Sequence, residues 1–154
     1  MIRLMKKFLV LFLIVSCCEV GAQDYQPKAK IDHLAIVVTD LDKSALFYSE
    51  ILGLNEITNQ TKKSNIRWFQ FEDGIELHLI QTSKEGILTK KDLHLATAIN
   101  NLPEFIKMLE SKQVPFESWQ GESNTSNSRP DGINQVYVQD PDGYWIEVND
   151  ANRF

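Results

Sequence analysis

Beyond residue 18 the chain has no cysteine, and its two thiols, Cys17 and Cys18, sit side by side near its start. A body without thiols carries neither a disulfide framework nor thiolate metal ligands. An excess of positive charge is missing too: 16 Lys and Arg stand against 21 Asp and Glu, a formal charge of −5. That balance argues against nucleic acid or an anionic membrane surface as partner. The apolar run at 8–15 falls far short of the ~20 residues that cross a bilayer as a helix, and no low-complexity segment interrupts the rest.

What is present begins with a leader. Arg3, Lys6 and Lys7 precede the apolar run, the pattern of a Sec signal peptide over residues 1–22. Val20-Gly21-Ala22 fits a small-residue cleavage site and would leave Gln23 first. Ile14-Val15-Ser16-Cys17 resembles a bacterial lipobox and would make Cys17 a lipid-bearing N-terminus, the one route by which this chain would meet a membrane. Export to the bacterial periplasm or cell envelope is the expectation. Removing residues 1–22 takes away three basic residues (Arg3, Lys6, Lys7) and one acidic (Glu19), so the formal charge moves from −5 to −7. Residues 23–30 read as a linker and 31–150 as one domain with room for an adequate core.

The strongest local signal is Asp140-Pro141-Asp142-Gly143. Proline presets φ, the aspartates bond nearby backbone, and glycine accepts positive φ, so this is a turn. The residues on either side, 133–139 and 144–148, make it a β-hairpin. Earlier in the chain the pattern predicts strands at 31–38, 54–58, 66–71 and 75–81. A helix capped by Asp40 or Asp42 and stopped by Gly53 follows the first of them. After a loop at 82–91 the order repeats. A strand at 93–99 leads to a helix capped by Asn100 or Asn101, with Pro103 in its first turn, running to about 112. A strand at 116–119, a loop at 121–132 rich in Ser, Asn and Gly, and the hairpin complete the unit. Two βαβββ modules in tandem, 31–81 and 92–149, predict an α+β fold curved around a cup.

The repeat aligns chemistry as well as elements. Asp32-His33-Leu34-Ala35 answers Leu93-His94-Leu95-Ala96, and Ile75-Glu76-Leu77 answers Ile146-Glu147-Val148. Each module offers a histidine early in its first strand and a glutamate in its last, 43 residues apart in one and 53 in the other. A carboxylate flanked like Glu147 by branched apolar residues is costly to bury without a partner. Small neighbours, Ala35 and Ala96, leave room over each histidine. A pseudo-twofold would aim two imidazoles and two carboxylates at one centre. His33, Glu76, His94 and Glu147 would then bind one divalent metal ion (Zn, Ni, Co, Mn or Fe(II)), with positions open for a small-molecule substrate. His78 shares a strand face with Glu76. It could replace Glu76 as ligand, act as an acid–base group, or line the cup; the repeat favours Glu76. Trp68, Phe69, Trp119, Tyr137 and Trp145 read as core or cup wall, Arg67 and Arg129 as solvated side chains.

These motifs resemble the vicinal oxygen chelate superfamily, which includes glyoxalase I, fosfomycin-resistance thiol transferases, methylmalonyl-CoA epimerase, extradiol dioxygenases and bleomycin-binding proteins. The resemblance spans residues 31–149. It is carried by Asp32-His33-Leu34-Ala35, Asp40-Leu41-Asp42-Lys43-Ser44, Phe47-Tyr48, Leu52-Gly53-Leu54 and the run from Asp140 to Glu147. It implies metal ligands at His33, Glu76, His94 and Glu147. All four bind in glyoxalase I-like members, and only the equivalents of His33, His94 and Glu147 in dioxygenases and thiol transferases. The presence of Glu76 implies the four-ligand branch, a lyase or isomerase in which the metal polarises a carbonyl to stabilise an enediolate. There a glutamate that leaves the metal is the base, with His78 a further acid–base candidate. The expected protein is an exported, glyoxalase-like enzyme, akin to lactoylglutathione lyase but separated from the cytosolic thiol pool. Its modules pair within one chain or across a homodimer. An Fe(II) extradiol-type dioxygenase and a metal-free binding protein of the antibiotic-sequestering kind are the alternatives, and the intact His/Glu set counts against the second.

Overall fold

Each helix starts where a short polar side chain takes up a loose backbone N–H. In the computed structural model, which describes residues 26–151, Asp40 accepts from Lys43 N at 3.1 Å and opens α1 (Leu41–Glu50). Asn101 accepts from Glu104 N at 3.1 Å and opens α2 (Leu102–Ser111), with Pro103 in the first turn where no N–H is needed. The leader expected over 1–22 lies outside the described residues. Among those described, no helix is long and apolar enough to cross a membrane.

The strands follow the expected order. The first module holds β1 (His33–Val38), β2 (Asn55–Ile57), β3 (Ile66–Gln70) and β4 (Glu76–Gln81). The second holds β5 (His94–Ala98), β6 (Phe116–Glu117), β7 (Asn127–Ser128), β8 (Asn134–Gln139) and β9 (Trp145–Asn149). The two-residue β7 pairs with β8 inside a stretch expected to be loop throughout. Each module forms its own sheet, ordered β1-β4-β3-β2 and β5-β9-β8-β6, with the first and last long strands parallel. The α+β class and the tandem βαβββ units stand. The modules form two sheets, and among the described residues no strand of one pairs with a strand of the other.

Each module builds its own core. Leu41, Ala45 and Tyr48 bury against Phe69, Leu77 and Leu79 of the first sheet. Phe47 and Leu52 also pack on the second core, built from Leu102, Leu109, Val136, Val138, Ile146 and Val148. One helix thus serves two cores. The Asp140–Gly143 turn locks the arrangement. Gly143 adopts φ +80°, and Asp140 Oδ1 accepts from Asp142 N at 2.9 Å and Tyr144 N at 2.8 Å. Its Oδ2 accepts from Tyr48 of α1 at 2.9 Å, while Asp142 accepts from Thr39 N, Thr39 Oγ1 and Ser44 Oγ. The turn of the second module is therefore bolted to the start of the helix of the first.

Candidate metal centre

Strand alternation decides where the chemistry goes. Ile146 and Val148 point into the second core, so Glu147 between them points away from it, on the face that also carries His94 and Tyr137. Glu147 is buried and heavily hydrogen-bonded. Its Oε2 accepts from the Tyr137 hydroxyl at 2.6 Å, and its Oε1 from Asn149 Nδ2 at 2.7 Å and Arg129 at 3.2 Å. Gln135, with its amide nitrogen turned inward, reaches both oxygens at 3.2 Å. Burial alone would push this carboxyl up. The bonds from Tyr137, Asn149 and Arg129 and the charge of His94 outweigh that and hold it below the ordinary 4.5. Burial, followed by the bond to Glu147, drives the Tyr137 hydroxyl well above its usual value. Arg129, expected in solvent, instead divides its guanidinium between Glu147 and Asp131. Arg67 likewise holds Glu56 and Asp42.

His94 completes this half. Its Nδ1 donates to the Lys91 carbonyl at 2.7 Å, which leaves Nε2 3.2 Å from Glu147 Oε2. An imidazole nitrogen and a carboxylate oxygen opposed in a buried site take a proton or a cation between them. The pair supplies two of the donors a divalent metal takes, and Tyr137 and the Lys91 carbonyl supply outer contacts of the kind that orient such ligands. Lys91 ties the surroundings together: its ammonium binds Glu117 and the carbonyls of Ser118 and Trp119, and lies over the rings of Tyr137 and Trp145. A cavity of about 590 Å³ opens here, bordered by His94, Trp119, Asn127, Arg129, Tyr137 and Glu147. A larger one of about 680 Å³, against Phe116, Tyr137 and Trp145, contains no imidazole and no Glu147. His94 and Glu147 border the smaller.

The first module presents a different half-site. His33 Nδ1 donates to Asp32 at 2.7 Å, so Nε2 is again the free nitrogen. His78 Nε2 donates to Glu76 Oε2 at 2.7 Å. The His78 ring is sandwiched: His33 stacks on one side with centroids 4.4 Å apart, Trp68 on the other at 4.1 Å. The Trp68 Nε1 is buried and finds no acceptor among the described residues.

Register corrects the repeat. In the first sheet His33 pairs with Glu76 and Ala35 with His78; in the second His94 pairs with Trp145 and Ala96 with Glu147. Across the hairpins, His78 faces Trp68 as Glu147 faces Tyr137. The counterpart of Glu147 is thus His78, and Glu76 stands at the level of Trp145. The turn glycines carried this signal, since His78 and Glu147 each lie four residues after one, Gly74 and Gly143. Nor do the four expected ligands meet. Among the described residues no group of three or more His, Cys, Asp or Glu side chains is placed to hold a metal ion. His33 and His78 lie on the first sheet, His94 and Glu147 on the second, and no ladder joins the two sheets among the described residues.

With this geometry in hand, comparison with known proteins is decisive at the level of family. A model of the Glyoxalase/Bleomycin resistance protein/Dioxygenase superfamily matches residues 30–148. The chain belongs to that superfamily. It is 31% identical over 124 residues to the uncharacterized protein YwbC of Bacillus subtilis (strain 168), covering 77% of this chain and 94% of that one. A lactoylglutathione lyase of Schizosaccharomyces pombe is 29% identical over 147 residues, covering 77% of this chain and 46% of that protein. Among solved structures, a lactoylglutathione lyase from Agrobacterium tumefaciens superposes with a TM-score of 0.61 at 20% identity, covering 82% of this chain and 96% of the other. That likeness is one of fold.

Proposed function

We propose that this superfamily member is a metal-dependent, glyoxalase-like enzyme that moves a proton on a small oxygenated substrate. One observation carries the reading: His94 Nε2 and Glu147 Oε2 face each other at 3.2 Å beside a cavity, a gap that a proton or a cation fills. His94 and Glu147 would hold the ion with His33. A divalent ion there would polarise a chelated carbonyl or hydroxyl and acidify the neighbouring proton. Tyr137 and Arg129 keep Glu147 ionised and aimed, and Trp119 and Arg129 border the space a substrate would enter. The lactoylglutathione lyase of Schizosaccharomyces pombe among the relatives supports isomerase or lyase chemistry. The basic-then-apolar leader supports export, so a thiol adduct from the cytosol is not the substrate we favour.

The complete centre, in this proposal, forms between two copies: His33 from one chain, His94 and Glu147 from the other. Three features support it. The two sets of donors form no group of three or more among the described residues; β1 and β5 each have a free edge among the described residues; and Ile31, Leu34 and Leu93, on or next to those edges, are exposed. Elemental analysis of protein purified without chelator or affinity histidines tests the metal. We expect about one divalent ion per chain and none in a His33→Ala/Glu147→Ala double variant. Nickel, zinc, cobalt or manganese with no oxygen uptake on catechols agrees with proton-transfer chemistry. Iron with catechol-dependent oxygen uptake would replace it with a dioxygenase, and protein that stays metal-free after reconstitution would end the catalytic reading.

A further inference from the structure

We infer that the cavity beside His94 and Glu147 receives a flat, uncharged part of the substrate, laid against the indole of Trp119, and turns anionic groups away. The inference deepens the function proposed above, because it takes this cavity as the place where a substrate enters, and it concerns the part of that molecule beyond its reacting oxygens.

Charge is the first observation. Among the described residues bordering the cavity the one cation is Arg129, and its guanidinium is divided between Asp131 and the buried Glu147. Lys91, over the Tyr137 ring, is neutralised by Glu117. In this group two positive charges stand against three negative ones. The polar side chains are engaged as well. Tyr137 and Gln135 donate to Glu147, Asn127 accepts from the Trp119 backbone, and Ser128 donates to Asn134. A carboxylate or phosphate entering here would lose water, find no unengaged cation and approach an ionised carboxylate.

The second observation is Trp119 itself. It is the one exposed Phe, Tyr or Trp among the described residues, 40% accessible. Yet its backbone is held at both ends: its N–H donates to Asn127 Oδ1 at 2.8 Å, and its carbonyl accepts from Lys91 Nζ at 3.3 Å. Asn127 is tied to the site in turn. With the Gln135 amide nitrogen turned inward, Asn127 Nδ2 donates to Gln135 at 3.1 Å and Gln135 donates to Glu147 at 3.2 Å. A chain of hydrogen bonds thus fixes Trp119 relative to the carboxylate. Its ring is inclined by 63° to His94 and 54° to Tyr137, so neither stacks on its face. A conjugated ring can stack there on a platform whose backbone is already ordered. The volume, about 590 Å³, lies within the roughly 300–1,000 Å³ of small-molecule sites.

The test compares two probes of one shape, neutral 2-acetylnaphthalene and anionic 2-naphthoate, on the full chain freed of metal by chelator. Affinity is read by equilibrium dialysis, and location by the Trp119 indole N–H signal in heteronuclear NMR. 2-Acetylnaphthalene is expected to bind saturably and shift that signal, and 2-naphthoate to bind at least about tenfold more weakly. Trp119→Leu keeps an apolar side chain and should weaken 2-acetylnaphthalene by about fivefold, whereas Trp119→Phe keeps a flat ring and should stay within about twofold. Naphthoate that binds as tightly as the ketone overturns the exclusion of anions. An unmoved Trp119 signal, or Trp119→Leu binding like wild type, overturns the platform, and a ketone that does not bind overturns both. The metal reading fails by a different measurement, the elemental analysis above, so the two failures stay distinct.

Discussion

At the scale of single residues the informative group is Glu147, a buried carboxylate that stays ionised because donors surround it. Its carboxyl is lower in the folded protein than its ordinary 4.5, so it contributes stability above that pH and loses it as the pH falls through the depressed value. Asp140 acts in the opposite sense. Burial raises it from 3.8, so its contribution is complete below that value and is lost as the pH rises through the raised one. In metal-free protein, the stability gap between wild type and Glu147→Gln, measured by urea unfolding, should therefore shrink as the pH drops below about 4.5. A gap constant from neutral pH to pH 3 would contradict this account. Glu147 could be picked out in the sequence by its apolar neighbours. Its donors were only half legible: Tyr137 and Asn149 follow from hairpin register, but Arg129 comes from an irregular loop whose path no periodicity records.

Elements were easier to read than their alignment. Caps, turn glycines and apolar spacing marked both helices and all the longer strands, because each depends on chemistry within a few residues. The pairing of the repeat went astray by one step, because Glu76 and His78 share a face and alternation cannot choose between them. Only distance from the turn does. The docking of one module on the other was illegible for a related reason: it depends on Tyr48 meeting Asp140, 92 residues away. That contact should matter. Tyr48→Phe removes the hydroxyl donor from a buried carboxylate and should cost about 1–3 kcal/mol, seen as a lower urea midpoint with an unchanged slope. It should also raise Asp140 further, since the Tyr48 bond lowers it. A variant as stable as wild type would mean that the turn holds α1 through Thr39 and Ser44 alone.

For the whole molecule, each module builds its own sheet and core, the first against α1 and the second against α2 with Phe47 of α1 at its margin. The donors of the two modules form no group of three or more among the described residues. A second copy resolves this. Its free β5 edge can approach the free β1 edge of the first and cover the exposed Ile31 and Leu93, which are 73% and 77% accessible in the isolated chain. Substituting such residues in a monomer should change stability by no more than about 0.5 kcal/mol and leave metal binding alone. If two copies complete the centre, Ile31→Asp/Leu93→Asp should move the protein from dimer to monomer in sedimentation equilibrium, and its metal affinity should fall by the same step. Ile31 and Leu93 stand within two residues of His33 and His94, so the fall in affinity counts for assembly where it follows protein concentration as the dimer does. A wild-type chain that sediments as a monomer while holding a full equivalent of metal would require the two halves to meet within one chain, and would overturn the two-copy centre.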